Sequence, residues 1–491
     1  MGGPAPWLPG RTRAHMLRDT TMMKTLLLLA LTVLMAAAMA QLDYVHRRLD
    51  WFTDVPWVRL MDNGRILYGG TKDDPELTYK TYDLYVDGVN YTADMFVGWH
   101  DVVGGSYRPD GNLWFHAYFY DSEGKWRGHA FRNKTDYVAE KWGMAYQSSY
   151  SEVNARGDVA IMISVDPNDG NAGYDLWLND RNVTLEVFGP NRFRFGAPGI
   201  LFDTGDMFWT GSSPGWSPMD VYLNGSNLSE QILGAGRTSS GVLANSPSDY
   251  VFMGASPITE GHQNIFKGTE NYGARVFGSV RYEARLEGYS KNGHVVWWAK
   301  AAGAYAPSDI YRDEENLSAF LGDGRVMDYF ASVGDDGRVM WEGWSPELGL
   351  EYYDVFVDQT NISGPRLGWD PTRRGDSWGF TSNGRAVWMG YTAKHGWNVF
   401  LDDVNVTENA FEGVPGRRWV SRMGVSANAR GDVLWLARTA DYYHPWEVWY
   451  SELVPEPLGC SGVSVGLVLL IRLRKRRSTR SHQSKASATD A

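Results

Sequence analysis

The chain has 491 residues and one cysteine, Cys460. That excludes a disulfide framework and any cysteine-rich zinc or iron–sulfur centre. Histidines number only 10, and none forms an H-x-x-x-H or HExxH pair. The reading therefore expects no metal ligand set, no cofactor and no catalytic constellation, and neither a G-x-S-x-G elbow nor a phosphate-cradling glycine loop. A basic surface is also missing. The formal net charge is −11, which argues against nucleic acid as a partner, because phosphate binding needs clustered Lys and Arg. No apolar run reaches the ~20 residues that span a bilayer comfortably.

Aromatics and glycine are abundant: 22 Trp, 27 Tyr and 55 Gly. Together they predict short strands separated by tight turns. Charge is unevenly spread. Residues 1–40 carry four bases and one acid, and residues 472–491 carry seven bases and one acid, which leaves −20 on the body between them.

Residues 1–40 read as an extension plus a secretory signal peptide. Lys24 precedes the apolar run Thr25–Ala37, and Ala38-Met39-Ala40 forms the A-x-A cleavage site before Gln41. The competing reading is a buried core helix. Residues 453–491 read as a tail. They hold Pro455-Glu456-Pro457, an apolar stretch Leu458–Ile471, and a basic stop at Arg472, Arg474, Lys475, Arg476 and Arg477. The stretch is 14 residues, short for a span. It inserts if its flanks snorkel or the bilayer thins, with the basic cluster on the cytoplasmic side.

This order of parts resembles the PEP-CTERM sorting signal of Gram-negative bacteria. The resemblance covers residues 454–477. It implies processing by an exosortase-type transpeptidase, transient residence in the inner membrane, and delivery to the cell surface or extracellular matrix. Two features depart from the pattern: Cys460 lies inside the apolar segment, and fourteen residues follow Arg477. Cys460 reads as a small packing residue rather than a lipid site.

Residues 41–452 form the body, and it repeats. A turn followed by an apolar strand, often ending in Trp, recurs with its turn at 64, 111, 157, 205, 249, 293, 337, 384 and 431. The spacings are 47, 46, 48, 44, 44, 44, 47 and 47. The copy at 249 lacks glycine. A second phrase follows each turn, as in Asp83-Leu84-Tyr85-Val86-Asp87-Gly88 and Asp354-Val355-Phe356-Val357-Asp358, and its alternation and closing turn are hairpin signals. A unit of about 46 residues thus offers three to four strands, a sheet that cannot bury both faces until neighbours pack on it. The expected fold is all-β: a β-propeller of nine four-stranded blades, or eight with a divergent extra unit. The pattern is similar to TolB-type and WD-repeat-like propellers. An open solenoid competes, but ring closure removes exposed sheet edges.

Asn-x-Ser/Thr triplets at Asn90, Asn133, Asn182, Asn224, Asn227, Asn316, Asn361 and Asn405 fall mostly at one register. They read as polar turns rather than glycan acceptors. Asp166–Asn171 has the wrong spacing for a calcium loop and reads as a hairpin loop. The Gly–Trp phrase differs from an Asp-box by one residue.

Both tight turns of a unit fall on one face, so the loops between second and third strands fall on the other. Those loops are aromatic. Trp126, Trp216, Tyr305, Trp344, Trp397, Tyr443 and Trp446 are the candidate ligand contacts, suited to stacking on sugars or anchoring a protein. The alternative is that they cap the blades and are half-buried. The expected function is a secreted, surface or matrix binding and scaffolding module for polysaccharide or protein partners, not an enzyme. A propeller-type polysaccharide lyase or glycoside hydrolase is the rival. An acid pair or His–acid cluster at the ring centre would favour it.

Overall fold

In the computed structural model, the residues described are 43–454, apart from 74–78, 167–172, 191–194, 213–218, 235–238, 256–262, 279–281, 302–307, 322–325, 346–348, 369–371, 393–395, 413–417 and 440–445. Signal-cleavage residues Ala38 and Ala40, the tail motif Pro455-Glu456-Pro457 and the basic stop all lie outside them. His46–Glu452 forms one compact unit.

The unit is all-β and built from small antiparallel sheets. In repeat eight the strands are Arg374–Phe380, Ala386–Thr392, Gly396–Leu401 and Val404–Asn405, paired in chain order. The described residues form seven such four-stranded sheets and one of eight strands. The larger one joins repeats three and four through a single parallel bridge between Tyr174 and Phe195. First strands carry bulges, as between Ser377 and Gly379 or Leu286 and Gly288, which bend and twist them.

The turns explain the glycine and aspartate patterns. Between first and second strands the chain reverses at a left-handed glycine, such as Gly64 at φ +83° or Gly384 at φ +84°. Between third and fourth strands a non-glycine residue takes φ near +50°, such as Asp358 (+52°), Asn179 (+55°) and Asp402 (+56°). Asp and Asn tolerate that region best among residues with a Cβ. Each accepts a hydrogen bond from the backbone that opens the second strand. Val159 N donates to Asn179 at 2.9 Å and Ala386 N to Asp402 at 2.8 Å. The two turns are therefore locked together at one end of the sheet, the turn end.

The core is aromatic and lies between sheets. Trp341 stacks on Phe356 at 4.6 Å, and Phe320 from the preceding connector meets both edge-on. Trp341 Nε1 donates to Asp358 O at 2.7 Å, so its one polar atom is satisfied. The pairs Trp297–Tyr311, Trp209–Tyr222 and Trp388–Phe400 repeat the arrangement at 4.6, 4.2 and 4.0 Å. Each buried ring of this size removes ~150–250 Å² from water, roughly 4–6 kcal/mol of transfer free energy.

The Asn-x-Ser/Thr register proves structural. Asn182 caps the short helix Val183–Phe188, accepting from Leu185 N at 2.9 Å, and its Nδ2 donates to Asp175 at 2.8 Å. Thr184 Oγ1 donates to the same carboxylate at 2.6 Å and accepts from Leu176 N at 3.2 Å. Asp220–Asn227–Ser229 and Asp354–Asn361–Ser363 repeat this knot. Connectors this short carry no helical periodicity, which is why sequence reasoning left these helices as turns.

The first and last described strands meet in the ninth sheet. Its strands run Arg418–Ala427, Val433–Thr439 and Trp446–Val454, and the outer fourth strand is the N-terminal segment Asp43–Phe52. Within the unit, His46 Nδ1 pairs with Ser451 Oγ at 2.8 Å and Arg48 with the buried Glu447 at 3.0 Å. Sheets one and nine share one core, in which Phe52, Leu60 and Tyr68 pack with Leu434, Leu436 and Tyr450. Asp62 in the first Gly turn accepts from Ala429 N at 2.9 Å and from Ser382 Oγ at 2.8 Å.

Candidate functional site

The loop end, where second strands pass to third strands, is built differently from the turn end. Its register places aromatics directly opposite one another. In repeat two Trp126 pairs with Tyr120 and stacks on Tyr118 at 4.9 Å, with planes 12° apart. In repeat seven Trp344 faces Tyr353 at 4.9 Å, and in repeat eight Trp397 faces Tyr391 at 5.4 Å. Cross-strand pairing holds these rings in place at the sheet edge. Trp126 and Tyr120 are 44% and 48% exposed. Trp344 and Trp397 are half-buried.

Three of the seven candidate contacts therefore sit at this edge, at strand ends rather than within loops. Trp216, Tyr305 and Tyr443 lie outside the described residues. Trp446 requires correction. It occupies the same register position in repeat nine, opposite Arg438, but is only 6% exposed and belongs to the core shared with sheet one. The Arg438 guanidinium lies 3.6 Å over its ring, covering the face that a ligand would need.

Ionisable groups do meet between repeats, but inside the packing. Glu342 of repeat seven and Asp376 of repeat eight are 4% and 8% exposed. Ser377 donates to Glu342 Oε1 from its backbone N at 2.7 Å and from Oγ at 3.0 Å. Burial, then the neighbouring Asp376, pushes the Glu342 carboxyl up to about 8. His116 occupies the matching position in repeat two. Its Nε2 lies 2.7 Å from Ser148 O, and burial pushes the imidazole down to about 4. Glu287, at the repeat-six bulge, is pushed up to about 7 by burial. Arg373 and Asp354, 1% and 0% exposed at the side chain, form an ion pair at 3.0 Å. Glu342, His116 and Arg373 bridge adjacent sheets and are closed to a polymeric substrate. Sequence reasoning missed them because partners on consecutive repeats carry no local signature.

Three strings do match Gly-x-Ser-x-Gly, Gly211–Gly215, Gly375–Gly379 and Gly462–Gly466, contrary to the sequence expectation. The central Ser377 lies inside the strand Arg374–Phe380 and donates to Glu342, while Ser213 and Ser464 lie outside the described residues. The first string leaves the strand Met207–Ser212 and the next described element is the strand Asp220–Leu223. A nucleophile elbow leads instead into a helix. Among the described residues no cluster of three or more His, Cys, Asp or Glu could hold a metal ion. No described helix is long and apolar enough to cross a membrane.

Beside the aromatic edge of repeat eight lies a cleft of about 480 Å³, reached by Trp397, Asn398, Phe411, Trp419, Arg366 and Asp403. That size falls among small-molecule sites.

No family model and no curated protein matches the chain. Among solved structures it is similar to the polysaccharide lyase Uly1, at 8% identity and a TM-score of 0.28 over 81% of this chain and 90% of that one. It is also similar to the extracellular domain of a hybrid two-component system of B. thetaiotaomicron, at 10% identity and a TM-score of 0.18 over 82% of this chain. The chain spans 60% of that domain's length. The Hadza microbial sialidase Hz136 matches at 9% identity and a TM-score of 0.20, over 76% of this chain and 73% of that one. Likenesses this distant carry no argument about function.

Proposed function

We propose that this chain is an exported, non-catalytic binding module of the cell surface or extracellular matrix, that its body is a closed nine-bladed β-propeller, and that its loop end engages polysaccharide. The observation that carries the binding claim is the set of cross-strand aromatic pairs Tyr118–Trp126, Trp344–Tyr353 and Tyr391–Trp397 at one edge of the sheets. Flat rings with a polar handle suit sugar stacking, and rigid sheets pre-order them. Ring closure is supported by the N-terminal strand in the ninth sheet and by the core shared between sheets one and nine. Export and sorting rest on the leader and on the Pro455-Glu456-Pro457 tail, with an exosortase-type enzyme as the processing partner.

A glycan array that includes the host's own extracellular polysaccharide tests the reading. Saturable binding without product release, weakened in Trp126→Ala or Trp344→Ala, is the expected outcome. Release of unsaturated or reducing-end products would replace it with a lyase or hydrolase. Absence of binding to every sugar would sink the glycan partner.

A further inference from the structure

Repeat two gathers aromatic rings at its loop end across three neighbouring strands, His100–Tyr107, Leu113–Tyr120 and Trp126–Arg132. Tyr120 and Trp126 are directly opposite one another, and the pairing of His100 with Phe119 brings Trp99 level with Tyr120. The rings form two contacts. Trp99, half-buried, meets Tyr120 at 5.7 Å, tilted by 56°. Trp126 lies over Tyr118 at 4.9 Å with planes 12° apart. Tyr118 thus backs one side of the Trp126 indole, and the 44% of Trp126 that stays exposed is its other side and edge. Tyr120 is exposed as well.

The hairpin that carries these rings is clamped. Asp121, next to Tyr120, accepts from Glu123 N and Lys125 N at 2.9 Å and from Arg127 Nε at 2.8 Å. Arg127, next to Trp126, also donates to Ala145 O at 2.9 Å. Both charged side chains are buried. Strand alternation turns Arg127 away from the Trp126 side, so the ion pair fixes the hairpin without occupying the aromatic face. Opening a buried pair is costly, which sets the ring positions before a ligand arrives.

The row's length selects the ligand. Neighbouring strands are ~4.8 Å apart, so the backbones of Trp99 and Trp126 stand roughly 10 Å apart across the sheet. That exceeds one pyranose, so the row meets consecutive units of a chain. An equatorially linked chain, as in cello-oligosaccharides, is extended and keeps its apolar ring faces in line. An axially linked chain of the same sugar, as in malto-oligosaccharides, coils and carries successive rings out of line.

We infer that the row of Trp99, Tyr120 and Trp126 is a binding subsite for an extended run of equatorially linked hexoses, read along the chain rather than at its end. The inference rests on the polysaccharide-binding reading above and narrows it to one repeat and one linkage class.

Isothermal titration of the full chain in detergent tests it with cello-, β-manno- and chito-oligosaccharides from dimer to hexamer and with maltohexaose. At least one equatorially linked series is expected to bind. Within it, affinity should climb at least about tenfold from dimer to tetramer and then level off. Borohydride reduction of the chain end should leave hexamer affinity unchanged. Maltohexaose should bind at least about tenfold more weakly than the best hexamer. Trp126→Ala and Tyr120→Ala should each lower hexamer affinity at least about tenfold with the melting transition kept, as for aromatic anchors. Tyr120→Phe retains the ring and should retain most of the affinity. Maltohexaose binding as tightly as the best hexamer, affinity independent of chain length, or binding lost on end reduction overturns the inference. Binding that survives both alanine variants but falls in Trp344→Ala overturns this subsite and leaves the wider function standing. Failure of all three equatorially linked series, while another glycan of the array binds, removes the linkage claim alone. Failure across the whole array removes both.

Discussion

The two ends of each sheet follow different rules. At the turn end, seven of the nine repeats solve the same problem with the same parts: a left-handed Gly, a left-handed Asp or Asn, and a hydrogen bond from the second strand to that Asp or Asn. These turns also touch across repeats. Asn154 donates to Phe202 O at 2.9 Å, Asn245 to Ser290 O at 2.8 Å and Asn383 to Ala429 O at 2.7 Å. At the loop end the strand edges hold Trp126, Trp344, Trp397 or a covered Trp446, and the side chains differ from repeat to repeat. A rigid end frees the opposite end to vary, which is how loops on a fixed scaffold come to carry binding.

Substitutions can break this contrast, and the largest effects belong to the packing. Trp341 and Trp344 lie three residues apart on one strand. Trp341→Ala empties a stacked, fully buried site and should cost roughly 3–5 kcal/mol in chemical denaturation. Trp344→Ala at the loop end should cost less than about 1.5 kcal/mol. Equal losses would erase the distinction between the ends.

Asp354→Ala takes the Asp354 carboxylate away from the buried Arg373 and cuts the cap bonds from Asn361 and Ser363. A loss of roughly 3–5 kcal/mol is expected. A much smaller loss, read in the same denaturation series, would mean that water already reaches this site.

The Glu342 carboxyl gives a pH signature. Its folded value of about 8 lies above its ordinary value of 4.5. Between those limits the folded protein holds a proton that the unfolded chain releases, so stability from this group falls as pH rises from 4.5 to 8. Glu342→Gln keeps the neutral shape and should flatten that slope, with a gain on the order of a few kcal/mol at pH 8 over wild type. A series of denaturation curves across pH reads it, and an unchanged slope would place the proton elsewhere.

The smallest effect sharpens the contrast from the other side. Asn227→Ala removes one helix cap and should cost about 1 kcal/mol without altering glycan binding. Binding that weakens along with stability would tie the connectors to the ligand.

Much of this architecture was legible in the sequence, for local reasons. The Gly turn, the Asp-x-aromatic strand and the Asn-x-Ser/Thr register are set by dihedral preferences and near-neighbour bonds, so they recur as readable phrases. The outer strand of sheet nine was not legible. Residues 46–52 pair with residues some 400 positions away, and strand alternation does not name a partner. Trp446 was misread because an aromatic after a polar loop looks exposed, while its burial depends on Arg438 and on sheet one. The Glu342–Asp376 pair and the Trp397–Trp419 cleft were hidden for the same reason: each is assembled from two or more repeats.

Hydrogen–deuterium exchange of the intact chain, with and without a glycan that binds it, tests the division most directly. The account predicts new protection confined to the loop-end segments around Trp126, Trp344 and Trp397, with the Gly turns unchanged. Protection centred on the turn end, around Gly64, Gly337 or Gly384, would contradict it.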